Sequence, residues 1–189
     1  MLSQATRRIA EREVRQLGKV CDASTTEETY MEVIRGKPAM LCEASTHSAA
    51  ALCGATAEQA EALRTFGDHL GVAFQLVDDL LDYRGDAETL GKNVGDDLAE
   101  GKPTLPLIYT MREGTPEQAA LVRKAIQKGG IEDLESIRAA VEASGALDYT
   151  AHLARDYVAR AIKGLDALPA SEYRDALVEL SEFAVARTH

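Results

Sequence analysis

The segment Phe74-Gln75-Leu76-Val77-Asp78-Asp79-Leu80-Leu81-Asp82 sets three carboxylates into an otherwise apolar helical pattern. Few folds accommodate such a group, because carboxylates held together and away from water must be paired, protonated or bound to a cation. On a helix turning about 100° per residue, with Asp78 at zero, Asp82 falls at about 40°, Gln75 at about 60°, Asp86 at about 80° and Asp79 at about 100°. Gly71 lies at about 20°, above the same stripe, and apolar side chains occupy roughly the remaining 260°. An ordinary surface helix carries a broad face of Lys, Glu and Arg. A solvated acidic face is the competing reading here, but the narrowness of the stripe and its short acids favour a polar cleft in a helical core. The Asp-Asp-x-x-Asp spacing suggests a divalent-metal site.

The rest of the chain predicts helix nearly throughout. Thr25-Thr26-Glu27-Glu28 offers a capping box before a helix running toward Cys53, and Thr56-Ala57-Glu58-Gln59 offers another before the acidic helix. Thr115-Pro116-Glu117-Gln118 combines a cap, a first-turn proline and a Gln three residues on. Gly114, Gly129-Gly130 and Gly145 are placed as helix stops. Later helices are expected over roughly 131–144, 148–167 and 171–187. The opening residues also carry helical periodicity, with Ile9, Val14, Leu17 and Val20 on related faces. No strand alternation is evident, so the expected class is all-α.

Two places break the regularity. Gly36-Lys37-Pro38 should kink the helix that follows Thr26, since proline removes a backbone donor. The stretch 85–103 is long for a helix connection and rich in Gly, Asp and Lys. Loops of that kind are often functional, and this one follows the acidic helix directly.

A length of 189 residues allows a single domain, 1–189, with a sizeable core. The interior should be aliphatic, since Trp is absent and Phe scarce. A net charge of −10 argues against nucleic acid as a partner and suits a protein that meets anionic ligands through bridging cations. Cys21, Cys42 and Cys53 have no Cys-x-x-Cys spacing and are expected to be reduced thiols. No apolar run reaches membrane-spanning length and no signal-peptide pattern opens the chain, so a soluble, cytoplasmic protein is expected.

The acidic segment through Tyr83, together with Leu90-Gly91-Lys92-Asn93-Val94-Gly95-Asp96-Asp97-Leu98-Ala99-Glu100-Gly101-Lys102-Pro103-Thr104-Leu105-Pro106-Leu107, resembles the trans-isoprenyl diphosphate synthases. Within that family it is most similar to the long-chain bacterial octaprenyl/polyprenyl type. The resemblance extends through Thr29-Tyr30-Met31-Glu32-Val33-Ile34-Arg35-Gly36-Lys37 and on to the C-terminus. It implies the C-terminal half of the isoprenoid-synthase helical bundle, with Asp78, Asp79 and Asp82 as the second of the family's two aspartate-rich motifs. Those three would hold Mg²⁺ against the diphosphate of an allylic substrate. Lys37, Gln75, Lys92 and Lys102 would approach the same diphosphate or its metals, with Lys37, Asp78 and Asp79 serving the ionisation step. The implied reaction condenses an allylic diphosphate with isopentenyl diphosphate.

The departures from the family pattern are specific. The family's N-terminal half, with its first aspartate-rich motif and its isopentenyl-diphosphate segment, has no counterpart in this sequence, so these residues should form one wall of an active site. Pro38 stands where the family usually has Thr, Arg12 where a small residue is usual, and Cys42 where an aromatic is common. A prenyltransferase segment incompetent by itself is therefore expected, in a homo-oligomer or with a full-length synthase. The alternative is a non-catalytic binding or regulatory subunit, or a truncated remnant, that associates with such a synthase. Terpene cyclases share the helical architecture, but no Asn/Asp-x-x-Ser/Thr-x-x-x-Glu pattern appears on a later helix.

Overall fold

One long helix organises the molecule. In the computed structural model, which describes Arg7, Ala10 and residues 20–84, 95–129 and 132–186, the acidic segment lies in a 28-residue helix, Ala57–Arg84. At 1.5 Å per residue it is about 42 Å long. Its start is a reciprocal box: the Gln59 N–H donates to Thr56 Oγ1 at 3.2 Å, and the Thr56 N–H donates to Gln59 Oε1 at 3.1 Å.

In chain order the described elements are α1 (Glu27–Ile34), a π turn (Arg35–Ala39), α2 (Met40–Leu52), α3 (Ala57–Arg84), α4 (Asp96–Ala99) and α5 (Leu105–Glu113). There follow α6 (Pro116–Lys128), α7 (Leu134–Ala143), α8 (Ala146–Gly164), a 3₁₀ turn (Leu165–Ala167) and α9 (Glu172–Ala186). No strand occurs among the described residues, as the all-α expectation requires. Thr115 and Gln118 form the predicted capping box of α6. At α1 the cap is Thr26, but it accepts from Thr29 N–H, and Glu28 plays no part in a box. Gly129 ends α6 at φ 65°, a conformation that costs an L side chain strain. Gly145 precedes α8 instead of trailing off α7 into a loop, so α8 begins two residues earlier than periodicity suggested.

α3 is central because its apolar sector is wide enough to bury against several neighbours at once. Val72, Ala73, Leu76 and Val77 pack with Tyr30 and Ile34 of α1, Leu105 and Ile108 of α5, and Ala154, Tyr157 and Val158 of α8. Toward its C-terminus, Leu80 and Tyr83 join Leu98, Leu107, Val122, Ile126, Ile137 and Val141 from α4 to α7. Toward its N-terminus, Phe66 meets Ala161 and Leu165. The core is predominantly aliphatic, as composition predicts, with Tyr30, Phe66, Tyr83 and Tyr157 as its aromatic members.

The expected kink at Gly36-Lys37-Pro38 takes a different form. α1 and α2 are continuous through a π turn, with right-handed helical dihedrals at Ile34, Arg35 and Met40. Proline cannot donate, and the extra residue of a π turn lets the helix pass that point without breaking. Backbone contact with α3 fixes where the turn lies: a Cβ on Gly71 would sit 2.5 Å from Ala39 Cα, and one on Gly67 would sit 2.6 Å from the Cys42 carbonyl oxygen. The periodic stripe of Ile9, Val14 and Leu17, and Arg12, lie outside the described residues.

Candidate active site

The polar stripe of α3 faces a cavity of about 500 Å³. Gln75, Asp78 and Asp79 enter it from α3, Lys37 and Pro38 from the π turn, Asp97 from α4, and Lys102 to Thr104 from the segment before α5. Val33, Ile34 and Leu41 make one side apolar. The cavity therefore brings together acids, two lysines and an apolar wall, contributed by three separate stretches of chain.

The three aspartates have different surroundings. Asp78 lines the cavity and is half-buried. Asp79, about 100° further round the helix, is only 2% exposed and both its oxygens are engaged. Tyr30 Oη donates to its Oδ2 and Gln75 Nε2 to its Oδ1, each at 2.6 Å. Burial, with Asp97 and Asp78 nearby, pushes the Asp79 carboxyl up to about 7, against the pull of its two donors. The Tyr30 phenol is raised well above its usual range, first by burial and then by Asp79 itself.

Asp82 lies behind the cavity, not among its lining residues. Its Oδ1 accepts from Gly95 N–H at 3.2 Å, and backbone N–H groups of Asp96 and Asp97 also favour its charge. It thus anchors the start of α4, where Gly95 adopts φ 88°. Burial and Asp97 nonetheless raise its carboxyl to about 6, and its Oδ2 is buried without a hydrogen-bond partner.

Among the described residues, no three acidic, His or Cys side chains converge closely enough to hold a metal ion alone. The expected trio of Asp78, Asp79 and Asp82 is divided, since Asp79 turns toward Tyr30 and Asp82 toward α4. Even so, the donor set fits Mg²⁺, which commonly takes one or two carboxylates and completes its shell with phosphate oxygens and water. Asp78 and Asp97 share the cavity wall, the Asp79 and Asp82 carboxyls are raised by burial and by Asp97, and Asp82 retains an orphaned buried oxygen. Each of these features is relieved by a nearby cation.

Lys37 is exposed and lines the cavity. Lys102 also lines it but is committed to the protein: Nζ donates to Asp97 Oδ1 at 3.1 Å and lies 2.8 Å from Glu100 Oε2. Burial opposes its charge, while Glu100 and Asp97 more than offset that and raise its pKa. Lys92 lies outside the described residues.

Two site residues escaped sequence reasoning. Tyr30 is 49 positions from Asp79, and nothing local marks it as a partner. Asp97 was legible only as one charge in an acidic loop. A sharper signal was its place beside Gly95, within the first turn of a short helix whose Leu98 is fully buried.

Known proteins give the geometry a context. Residues 1–144 match the family model described as polyprenyl synthetase. The chain is 49% identical over 188 residues to an octaprenyl diphosphate synthase of Escherichia coli, covering 99% of this chain and 58% of that protein. It is 49% identical over 185 residues to an all-trans-nonaprenyl-diphosphate synthase (geranyl-diphosphate specific) of Rhodobacter capsulatus, covering 98% and 57%. Among solved structures, a Caulobacter crescentus polyprenyl synthase complexed with calcium and isoprenyl diphosphate superposes with a TM-score of 0.93 at 43% identity. That alignment covers all of this chain and 58% of the other. The chain thus spans somewhat over half the length of these relatives.

Proposed function

The chain belongs to the polyprenyl synthetase family, and from that premise we propose that its cavity is the allylic-diphosphate wall of a trans-polyprenyl diphosphate synthase. The observation that carries the reading is the convergence of Asp78, Asp79, Asp97 and Lys37 on one cavity with an apolar side. A diphosphate needs its charge matched, and a prenyl chain needs hydrocarbon surroundings. The calcium and isoprenyl diphosphate complexed with the Caulobacter protein lend the same support.

In this reading Asp78 and Asp97 would hold Mg²⁺, and the ion would supply charge neutralisation for the departing diphosphate. Lys37 adds a positive charge from the π turn. Gln75 and Tyr30 hold Asp79 in place through their 2.6 Å hydrogen bonds, so the acidic wall keeps its shape as the ligand arrives. Asp82 fixes α4 and hence Asp97. Lys102 restrains Asp97 from its other side.

The reaction so supported breaks the allylic C–O bond and releases diphosphate. The double bond of isopentenyl diphosphate supplies the electrons for the new C–C bond, and one proton is lost to restore a double bond. Among the described residues lining the cavity, Lys37 and Lys102 carry positive charge, which suits one diphosphate. The chain by itself is accordingly expected to bind an allylic diphosphate but to incorporate little or no isopentenyl diphosphate.

Titration calorimetry tests this reading. An allylic diphosphate should bind in Mg²⁺ and not in excess chelator, and Asp78→Ala should weaken it at least about tenfold, as loss of one ligand in a charge cluster does. Binding that ignores both Mg²⁺ and Asp78→Ala would refute it.

A second reading is favoured by exposed apolar side chains. Leu41 of the cavity wall is 59% exposed and Phe74 of α3 is 45% exposed, and exposed apolar surface tends to be covered by another chain. On that reading the protein works by association, with its own kind or with a full-length synthase. A species of one chain's mass in sedimentation, alone and mixed with an octaprenyl synthase, would count against it.

A further inference from the structure

The π turn holds Lys37 at the cavity, and such turns survive only where their surroundings maintain them. Two contacts surround this one. On the α3 side, the bare Cα of Gly71 lets the Ala39 backbone approach so closely that an added Cβ would lie 2.5 Å from Ala39 Cα. On the α8 side, Arg35 Nη2 donates to Tyr157 Oη at 2.8 Å, with the guanidinium 5.9 Å from the ring centroid.

Tyr157 is itself fixed. It is 5% exposed, meets the His69 ring edge-on at 5.7 Å and carries the Arg160 guanidinium 5.0 Å from its centroid. Its hydroxyl is therefore a rigid acceptor, presented by α8 to a side chain of the π turn. Residues two apart on a helical segment project to nearly opposite sides. Arg35 reaches away from the cavity toward α8 while Lys37 reaches into it.

The geometry points to Arg35 and Tyr157 as positioning residues: their hydrogen bond braces the π turn from behind and sets the reach of Lys37 to a bound diphosphate. This rests on the reading of the cavity as a diphosphate site. Neither residue lines the cavity, and their effect passes through Lys37. Gly71 serves the same turn from the opposite flank by permitting the close approach.

A double-mutant cycle on the full chain tests the brace, with Mg²⁺ and inorganic pyrophosphate as the probe and affinity read by calorimetry. Tyr157→Phe keeps the ring and removes only the hydroxyl, so folding should survive, and Arg35→Gln removes the donor from the other end. Each should weaken pyrophosphate binding about fivefold, the scale of one hydrogen bond. In a Lys37→Ala background the same changes should have no further effect. Equal weakening with and without Lys37, or no weakening at all, would overturn the brace.

Amide hydrogen exchange separates this proposal from the function it rests on. Tyr157→Phe should speed exchange at Gly36, Lys37 and Ala39 and leave α5 and α6 unchanged. If the wild-type chain binds no pyrophosphate, the functional reading fails while accelerated exchange still supports the brace. Unchanged exchange across the π turn overturns the brace whatever the ligand does.

Discussion

Replacing Tyr30 by Phe probes the most buried part of the acidic wall. The substitution deletes one oxygen, the donor to Asp79 Oδ2 at 2.6 Å, between two side chains that are 6% and 2% exposed. A hydrogen bond to an ionised group contributes about 1.5–3 kcal/mol, whereas one between neutral partners contributes about 1 kcal/mol. The loss should therefore depend on whether Asp79 is charged. In the folded chain burial and Asp97 raise that carboxyl from 3.8 to about 7. A raised folded-state value makes stability greatest below the unfolded value, and the contribution is lost as pH rises through about 7. Without Tyr30 the carboxyl rises further, by roughly one unit for each 1.4 kcal/mol of lost preference for the charged form. The fall in stability then continues to higher pH in the variant. Urea denaturation of the metal-free chain should show a cost of about 1 kcal/mol at about pH 5 and of about 2–3 kcal/mol at about pH 8.5. A cost that is the same at both pH values, or a carbon-13 titration of Asp79 in the ordinary aspartate range, would refute the reasoning.

Other perturbations separate stability from binding. Asp97→Asn removes the charge named in raising both Asp79 and Asp82. It should stabilise the metal-free chain at neutral pH by about 1 kcal/mol in thermal denaturation while weakening Mg²⁺-dependent pyrophosphate binding, a trade that functional sites often show; a destabilised variant with intact binding contradicts the assignment. Gly67→Ala would place a Cβ 2.6 Å from the Cys42 carbonyl oxygen, so it should cost about 1–3 kcal/mol and lower the melting temperature. Thr115→Ala breaks the capping box of α6, outside the cavity lining, and should cost about 1 kcal/mol with no change in ligand affinity.

Local chemistry made the helices readable. Thr56 with Gln59 and Thr115 with Gln118 satisfy orphan N–H groups over three residues, and that signal needs no tertiary information. The stripe of Gln75 and Asp78 is likewise a property of one helix, and the cavity lies where it points. The Gly-Lys-Pro signal located an irregularity but not its kind: Pro38 accounts for a missing donor, whereas the close approach of Ala39 to α3 at Gly71 is a tertiary contact that no local pattern marks. What each aspartate does was less legible. A helical wheel places Asp79 on the rim of the stripe and Asp82 near its middle, but only packing brings Tyr30 to one and Gly95 to the other. Asp97 came into view for the same reason: packing sets it beside the acids of α3, with Lys102 of its own loop bonded to it.

The proposed function stands or falls on where a diphosphate and its metal settle. The most direct measurement is a crystal structure of the chain with Mn²⁺, in place of Mg²⁺, and a non-hydrolysable allylic thiodiphosphate, with the metal placed by its anomalous signal. Metal is expected within about 2.2 Å of an Asp78 carboxylate oxygen, diphosphate oxygens within reach of Lys37, and the prenyl chain against Val33, Ile34 and Leu41. Metal and diphosphate bound away from Asp78 and Lys37, or a cavity that admits neither at saturating concentration, would contradict it.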